Sequence, residues 1–420
     1  MVIYETPFLV WWGLMLFLCK LGRLRQLDYE LQDDESCVLA NLNALAETLR
    51  QTLPVYKTLS HFLGHLGSAA LAGLRTKMIR ELIRKKVLDA YRLLDLHFVV
   101  AVDGSGHLSF RRRHCPHCLT QKHEGRTYYY HEVLEAKLVT PTGLALSMGN
   151  EFIDNRHMDD GQDVGAEKRK QDCELKAFRR LAAQLKRDYP QTPMCIAGDA
   201  LFACGETFQI CQENQWKYVL TFKQGRLPAL WQEFQTLLAL CPKQVSVVEL
   251  PDGTRQEYRW VNDLIHVDGK NRRHVVDAIQ CIETKDGKTR TFAWLTNFRV
   301  TEKTVVAIGQ QGGRDRWKIE NSGFNSQKNG GYELEHVYGQ EEELLKCFYI
   351  LLQIAHMILQ LVEKGSLLKR AARQYGKSVI GLYGSVRNIA RRLLECLRFH
   401  LIPPEVFDPD RRFQIRLDSP

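Results

Sequence analysis

Two short apolar runs of the same design, each closing on an aspartate, constrain the fold of this chain most strongly. The first run covers residues 97–103 and is followed by glycine, and the second covers residues 193–199. Such a run, rich in β-branched and other apolar residues and closed by a turn residue, predicts a buried strand that ends at the aspartate. One aspartate in this place is more often a turn or helix-cap residue. Two strands of matching design instead predict a pair of carboxylates.

The pattern around these two runs predicts further strands and helices. Two strands, 127–140 and 143–148, are joined by a Pro-Thr-Gly turn, and a helix is expected from about 167 to 188. After the second run, a helix at 206–214 and a strand at 216–222 are expected. Three antiparallel strands, a helix and a strand parallel to the first form the order of an RNase H-like core.

This order predicts a metal site, because the first and fourth strands of such a core are neighbours. Neighbouring strands lie about 4.8 Å apart. Asp103 and Asp199 could therefore share divalent ions held about 4 Å from each other. A later helix offers Glu320 as a third carboxylate, with Arg316 one turn before it on the same face. The alternative for that pair is a surface ion pair of little energetic weight.

The fold class expected from these patterns is α/β, with an RNase H-like mixed five-stranded sheet and helices. Residues 1–96 are predicted to be helical, and residues 97–223 to form the first part of the core. Residues 224–297 predict a β-rich insertion, because Asp-Gly turns separate alternating runs there. Residues 298–330 carry the glutamate helix of the core, and residues 331–420 are again predicted to be helical.

Composition and charge indicate the class of partner and the cellular location of the protein. The 420-residue chain has a formal charge of +9 and a pI near 8.9, a mild excess that favours a polyanionic partner. Its most apolar run, residues 7–19, is shorter than the roughly 20 residues of a membrane span and lacks preceding basic residues. Twelve cysteines without a secreted-domain spacing indicate reduced thiols. We therefore expect a cytoplasmic protein with no membrane partner.

Four short motifs in this order resemble the DDE transposases of bacterial insertion sequences, particularly the insertion-sequence family four type. They are Val102-Asp103-Gly104-Ser105, Ala197-Gly198-Asp199-Ala200-Leu201-Phe202, Trp294-Leu295-Thr296-Asn297 and Arg316-Trp317-Lys318-Ile319-Glu320. The resemblance implies that Asp103, Asp199 and Glu320 are the catalytic, metal-binding triad, with Mg²⁺ or Mn²⁺ as cofactor. It also implies double-stranded DNA at transposon ends and target as substrate, a homodimer in the synaptic complex, and association with the nucleoid.

Members of that family carry a Tyr-x2-Arg-x3-Glu-x6-Lys signature, which this chain matches in part. Arg316 and Glu320 fit, whereas Gly313 stands at the tyrosine position. Gln327 stands at the lysine position and Lys328 follows it. These two differences from the signature affect the residues expected to bind the terminal phosphates and the transferred strand. They leave the triad intact.

The residues expected to contact DNA are Arg316, Lys318, Lys328, Trp294 and Arg112. Arg112 lies in a run of three arginines that could contact the phosphate backbone. Trp294 could stack on an unpaired base, although packing in the core is its alternative role.

A cysteine pair raises the further possibility of zinc. Cys115 and Cys118, with His123 nearby, could supply ligands because thiolates at this spacing can both face one ion. A reduced-thiol loop is the alternative, since a second ligand pair is not obvious in the sequence.

The leading hypothesis is therefore a DNA transposase that cleaves and joins strands at transposon ends. The alternatives are a catalytically inactive, transposase-derived DNA-binding protein and an RNase H-like nuclease without strand transfer. Terminal-repeat sequence, target preference and the use of a hairpin intermediate stay open.

Overall fold

The computed structural model describes residues 4–33, 35–155, 171–407 and 415–417. The chain forms two compact units, one made of residues 88–322 and one made of residues 1–87 with 323–419. The second unit is built from both ends of the chain. The first residues of the predicted helix 167–188, including a run of three basic residues, lie outside the described part.

Five helices form the first part of the chain, as the apolar periodicity of residues 1–96 predicts. The 13-residue helix α1 contains most of the apolar run 7–19 and is buried along most of its length. The helices are α1 (Thr6–Leu18), α2 (Arg25–Leu31), α3 (Val38–Ala46), α4 (Tyr56–Leu66) and α5 (Ser68–Arg84).

The predicted mixed α/β architecture is confirmed in the unit of residues 88–322. Strands β1 and β5 are parallel, β5 and β6 are parallel, and β3 is antiparallel to both β1 and β4. Helix α6 packs on β3 and β4. The elements are β1 (Phe98–Phe110), β2 (Leu119–His123), β3 (Arg126–Val139), β4 (Ala145–Ile153), α6 (Glu174–Asp188), β5 (Met194–Gly198), α7 (Gly205–Glu213) and β6 (Lys217–Thr221).

The first strand is longer than the sequence indicates. The prediction that it ends in a turn at Asp103-Gly104 is wrong, because β1 continues to Phe110. Its second half is held by β3, whose residues Tyr129 to Glu135 pair with residues Phe110 to Asp103. The end of β1 therefore depends on its pairing with β3, which the local sequence does not reveal.

The predicted β-rich segment extends the same sheet. It begins with a helix, and its last strand, β10, pairs antiparallel with β6, so the sheet has ten strands in the described residues, where five were expected. Helix α8 packs on β8. The elements are α8 (Pro228–Leu240), β7 (Val245–Glu249), β8 (Arg255–Val267), β9 (Arg273–Lys285), β10 (Lys288–Thr296) and the short α9 (Val305–Ala307).

The segment after α9 is helical but not regular. Its turns are π-helical at Ile308–Gly313, 3-10 at Arg314–Trp317 and π-helical at Ile319–Phe324. Single π-helical turns inside helices occur often at functional sites. Here they surround Arg316 and Glu320.

The C-terminal helices complete the helical unit around one long apolar helix. α11 packs against α1, α4 and α5, and Leu351 on it lies against Gly13 of α1. Among the described helices, α11 alone is long and apolar enough to cross a membrane, but 72% of its most apolar window is buried in the protein. Core helices commonly pass that test. The helices are α10 (Asn325–Asn329), α11 (Glu342–Lys364), α12 (Ser366–Gln374), α13 (Val379–Tyr383) and α14 (Val386–Phe399).

Candidate active site

Asp103 and Asp199 occupy matching positions on two neighbouring parallel strands. The β1–β5 register runs from Phe98 opposite Met194 to Ala101 opposite Ala197, and each aspartate lies two residues beyond that last pair. Asp199 also caps the short turn after β5, because its Oδ1 accepts a hydrogen bond from the Leu201 amide at 2.8 Å. The cap role and the paired-carboxylate role therefore coexist at Asp199.

Arg316 reaches the first aspartate from the helical segment. Its Nη1 donates to Asp103 Oδ2 at 3.1 Å, and its side chain is only 12% exposed. The guanidinium also lies over the ring of Trp317, whose own side chain is exposed. Arg316 thus links the irregular helical segment to the end of the parallel strand pair.

The electrostatics of Asp103 bring all three predicted carboxylates into one neighbourhood. The pKa of Asp103 is raised to about 6, chiefly by burial; Arg316 lowers it, and the charges of Asp199 and Glu320 contribute to the rise. Glu320 is exposed in the turn Ile319–Phe324. The structure therefore gathers residues that are more than 200 positions apart in the sequence into one acidic site.

Two further carboxylates, absent from the sequence prediction, lie in the same site. Glu174 at the start of α6 and Glu132 on β3 are hydrogen-bonded to each other. Burial, first, and the charges of Glu132, Asp103 and Asp199 together raise the pKa of Glu174 to about 8. Two carboxyl groups in hydrogen-bond contact share a proton. The sequence signal for Glu174 is weak: it lies in the first turn of α6, where acidic residues are common for electrostatic reasons alone.

Gly104 makes room for this carboxyl pair. A β-carbon at Gly104 would lie 2.5 Å from Glu174 Oε1 and 3.0 Å from Glu132 Oε1. The glycine that the sequence assigns to a turn therefore serves a close approach between strand and helix.

Three glycines bring the segment that carries Arg316 and Glu320 directly onto the sheet. A β-carbon at Gly309 would lie 2.6 Å from Tyr258, and one at Gly312 would lie 2.7 Å from Val219. At Gly313 it would overlap the indole ring of Trp294. A tyrosine, the residue of the family signature, has no room at position 313 in this packing.

The predicted DNA contacts fall into different environments. Trp294 is only 3% exposed and stacks on Phe292, so the core-packing role fits it and its ring is closed to a base. Arg112 is exposed after β1. Lys318 lies close enough to Asp315 to oppose the rise that burial causes in the pKa of that carboxyl.

Lys328 and its neighbour belong to the helical unit. Lys328, on α10, forms an ion pair of 3.1 Å with Glu335. Gln327, at the signature's lysine position, is fully buried and donates to Gln353 at 2.7 Å. A buried amide bonded to another amide has a structural role there.

The cysteine pair meets a histidine that differs from the predicted one. His123 is exposed at the end of β2, opposite Arg126. His131 instead lies on β3, and its Nε2 is 3.4 Å from both Cys115 Sγ and Cys118 Sγ. The hairpin register, which the spacing of the cysteines cannot give, brings His131 to the thiols.

The chain matches no protein-family model and no curated protein. Asp103 interacts electrostatically with Asp199, Glu320, Glu132 and Glu174 and with the cation of Arg316, and the pKa values of Asp103 and Glu174 are strongly raised. Such a site favours cations with a preference for hard oxygen ligands.

Proposed function

We propose that the protein is a DDE transposase that cleaves and joins DNA strands at transposon ends, with Asp103, Asp199 and Glu320 as its catalytic triad. One observation carries the proposal. Two aspartates occupy matching positions on neighbouring parallel strands, and Glu320 lies close enough to act on the pKa of the first. Phosphoryl-transfer sites with two metal ions need this kind of shared carboxylate arrangement.

The topology supports an RNase H-like core. The strand order β4-β3-β1-β5-β6, with β1, β5 and β6 parallel and β3 antiparallel to its two neighbours, is the order expected for that fold. Strands β7 to β10 come between the fifth strand of this core and the glutamate segment. This is the position of the β-rich insertion that the family resemblance implies.

The donor set fits Mg²⁺ or Mn²⁺. Carboxylate oxygens of Asp103, Asp199 and Glu320 are the hard ligands that these ions prefer. The raised pKa of Asp103 shows that its ionisation is unfavourable beside the other carboxylates. A bound cation would offset this repulsion, so the raised pKa is expected of carboxyl groups that bind a metal ion. Bound ions would supply the activation of a water or 3′-hydroxyl for in-line attack and the stabilisation of the leaving oxygen.

The protein groups around the triad have separate tasks in this proposal. Arg316 orients Asp103 through its hydrogen bond, and it can turn towards a DNA phosphate when an ion takes up the charge of Asp103. Glu174 and Glu132 hold a proton at the edge of the site, which limits its total negative charge. The substrate is double-stranded DNA, bound by a homodimer in the nucleoid of the cytoplasm.

An RNase H-like nuclease without strand transfer is the second candidate. Gly313 and Gln327 stand at the tyrosine and lysine positions, and both are committed to packing or to a buried hydrogen bond. The residues at the two signature positions therefore differ from those expected to bind the transferred strand, although the triad is complete. This difference favours a nuclease without strand transfer as the alternative.

The proposal is tested by nicking of a duplex that carries the terminal repeat of the flanking element. Cleavage is measured with Mg²⁺ or Mn²⁺ for the wild type and for Asp103→Asn, Asp199→Asn and Glu320→Gln. We expect each of the three variants to lose cleavage and to keep DNA binding. Asp286→Asn, a change at an exposed hairpin turn of the same sheet, is the matched control and should cleave normally.

Three outcomes separate the candidates. Joining of a labelled donor end to a target plasmid supports the transposase, and cleavage without joining supports the nuclease. DNA binding with no cleavage under either metal would leave a catalytically inactive, transposase-derived DNA-binding protein.

A further inference from the structure

A three-stranded ribbon extends beyond the acidic site and carries a cluster of cysteines and histidines where β1 connects to β2. It consists of the second half of β1, the first half of β3, and β2. The connection between β1 and β2, residues 111–118, begins with three exposed arginines and contains Cys115 and Cys118. This cluster has no part in the proposed cleavage reaction.

Two thiols and an imidazole are already spaced as ligands of one tetrahedral ion. Cys115 Sγ lies 3.6 Å from Cys118 Sγ, and each sulfur lies 3.4 Å from His131 Nε2. With zinc–sulfur bonds near 2.3 Å and zinc–nitrogen bonds near 2.0 Å, tetrahedral geometry places two sulfurs about 3.8 Å apart and a sulfur and a nitrogen about 3.5 Å apart. The three observed distances match this arrangement within the accepted 0.2 Å.

His114 is the candidate for a fourth ligand. Its ligand nitrogen, Cys115 Sγ and the ligand nitrogen of His131 all lie within 4.8 Å of one another. The Nδ1 atom of His114 is buried and has no hydrogen-bond partner among the described residues, which is costly unless another group engages it. The ring is held in place by stacking on Phe110, with 4.6 Å between the ring centres.

The surroundings favour a structural site. Cys118 is buried, and the Cys115 amide donates to its sulfur at 3.4 Å, a contact that stabilises a thiolate. Two thiolates and two neutral imidazoles leave a divalent ion with no net charge, so the closed site needs no further partner.

We propose that His114, Cys115, Cys118 and His131 bind one Zn²⁺ ion that joins the β1–β2 connection to β3. Binding releases the two thiol protons to solvent. The ion ties the connection after β1 to β3 and so fixes the backbone from which Arg111, Arg112 and Arg113 project into solvent. Zinc sites of two cysteines and two histidines perform this role in small domains whose apolar core is slight.

The first test measures metal in the full-length protein without DNA, so that its result is independent of cleavage activity. Wild-type protein purified without chelator is expected to contain about one zinc per chain by mass spectrometry of the elements. Replacement by Co²⁺ is expected to give thiolate-to-cobalt charge-transfer absorption and the strong visible bands of a tetrahedral site. Absence of zinc, together with absence of these bands when Co²⁺ is added, would overturn the proposal.

Variants identify the ligands. Cys118→Ser and His131→Ala are expected to lower zinc content to near zero, whereas His123→Ala and Cys173→Ser should retain it, since both of these residues are exposed outside the cluster. Loss of zinc in His123→Ala with retention in His131→Ala would contradict the ligand set. A mass decrease of two hydrogens in the unreduced, metal-free protein would instead identify a redox-active dithiol.

Discussion

At the scale of single residues, the carboxyl pair of Glu174 and Glu132 makes stability depend on pH. Burial and neighbouring charges raise the pKa of Glu174 from 4.5 to about 8. Between these values the folded state holds a proton that the unfolded state has lost, so the free energy of unfolding decreases as pH rises. We expect Glu174→Gln to raise the free energy of unfolding at pH 8 by about 1–2 kcal/mol relative to wild type, and by less at pH 6.

The measurement is urea denaturation at several pH values without added Mg²⁺ or Mn²⁺. Glu249→Gln, which neutralises an exposed carboxylate on β7, is the control and should change the pH dependence little. A Glu174→Gln variant whose stability parallels that of wild type across this pH range would show that Glu174 does not hold the proton. Added Mg²⁺ should stabilise the wild type at pH 8, because an ion that binds only the folded state shifts the equilibrium towards it.

The sequence identifies some of these residues and hides others for a physical reason. Asp103 and Asp199 are visible because each follows a short apolar run, a pattern that can be read locally in the sequence. Glu132 lies within a strand and Glu174 at a helix start, where acidic residues are ordinary. Only the pairing of β3 with β1 and the packing of α6 on the sheet bring them to the site.

At the scale of elements, the glycine-bearing face of residues 309–313 determines where Glu320 lies. Because Trp294 occupies the space beside Gly313, an added methyl group forces the ring or the helical segment to move. We expect Gly313→Ala to lower the free energy of unfolding by about 1–3 kcal/mol, the usual cost of overpacking. Cleavage should fall even in buffer where the variant stays folded, because Arg316 and Glu320 follow Gly313 on the same segment.

Gly225→Ala is the matched control for that substitution. A β-carbon at Gly225 meets no atom within 4 Å, so stability and cleavage should both stay near the wild-type values. Urea denaturation and the nicking rate are measured for both variants. Wild-type cleavage by folded Gly313→Ala protein would show that the position of the segment is not critical.

Element types were more predictable than element ends and partners. The strands at 127–140 and 143–148 and the helix at 206–214 were predicted within a few residues of β3, β4 and α7, and β4 extends five residues further. The length of β1, the strand β2 and the joining of β10 to β6 were not predicted, since each depends on a partner strand distant in sequence. For the same reason the sequence points to His123, a neighbour of the cysteines in sequence, whereas His131 is their neighbour in space.

At the scale of the whole molecule, the helical unit depends on both ends of the chain. Helix α11 is buried by α1, α4 and α5, which all precede residue 88. A chain that starts at Leu88 would expose the apolar faces of α11, and we expect it to aggregate and to bind a hydrophobic dye. Size-exclusion chromatography and dye fluorescence measure this, with co-expression of residues 1–87 as the rescue. A soluble monomer that binds no dye would contradict the arrangement.

The net charge gives a last prediction, about binding of DNA by the whole molecule. Each phosphate that a basic side chain neutralises contributes about −0.9 to the slope of log affinity against log salt concentration. Arg111, Arg112 and Arg113 are exposed on one connection, so replacing all three with alanine should reduce the steepness of that slope by up to about three such contributions. Affinity is measured by fluorescence anisotropy of labelled duplex over a salt series.

A control must remove the same charge elsewhere. Removing any basic residue from a chain of formal charge +9 weakens its long-range attraction to DNA. Lys223, Lys243 and Lys270 are exposed in the same unit, and their triple alanine variant changes the net charge equally. A reduction of the slope in the arginine variant alone identifies direct phosphate contacts. Equal reductions in both variants would mean that the arginines act only through the overall field, and the ribbon would then have no specific place in the DNA complex.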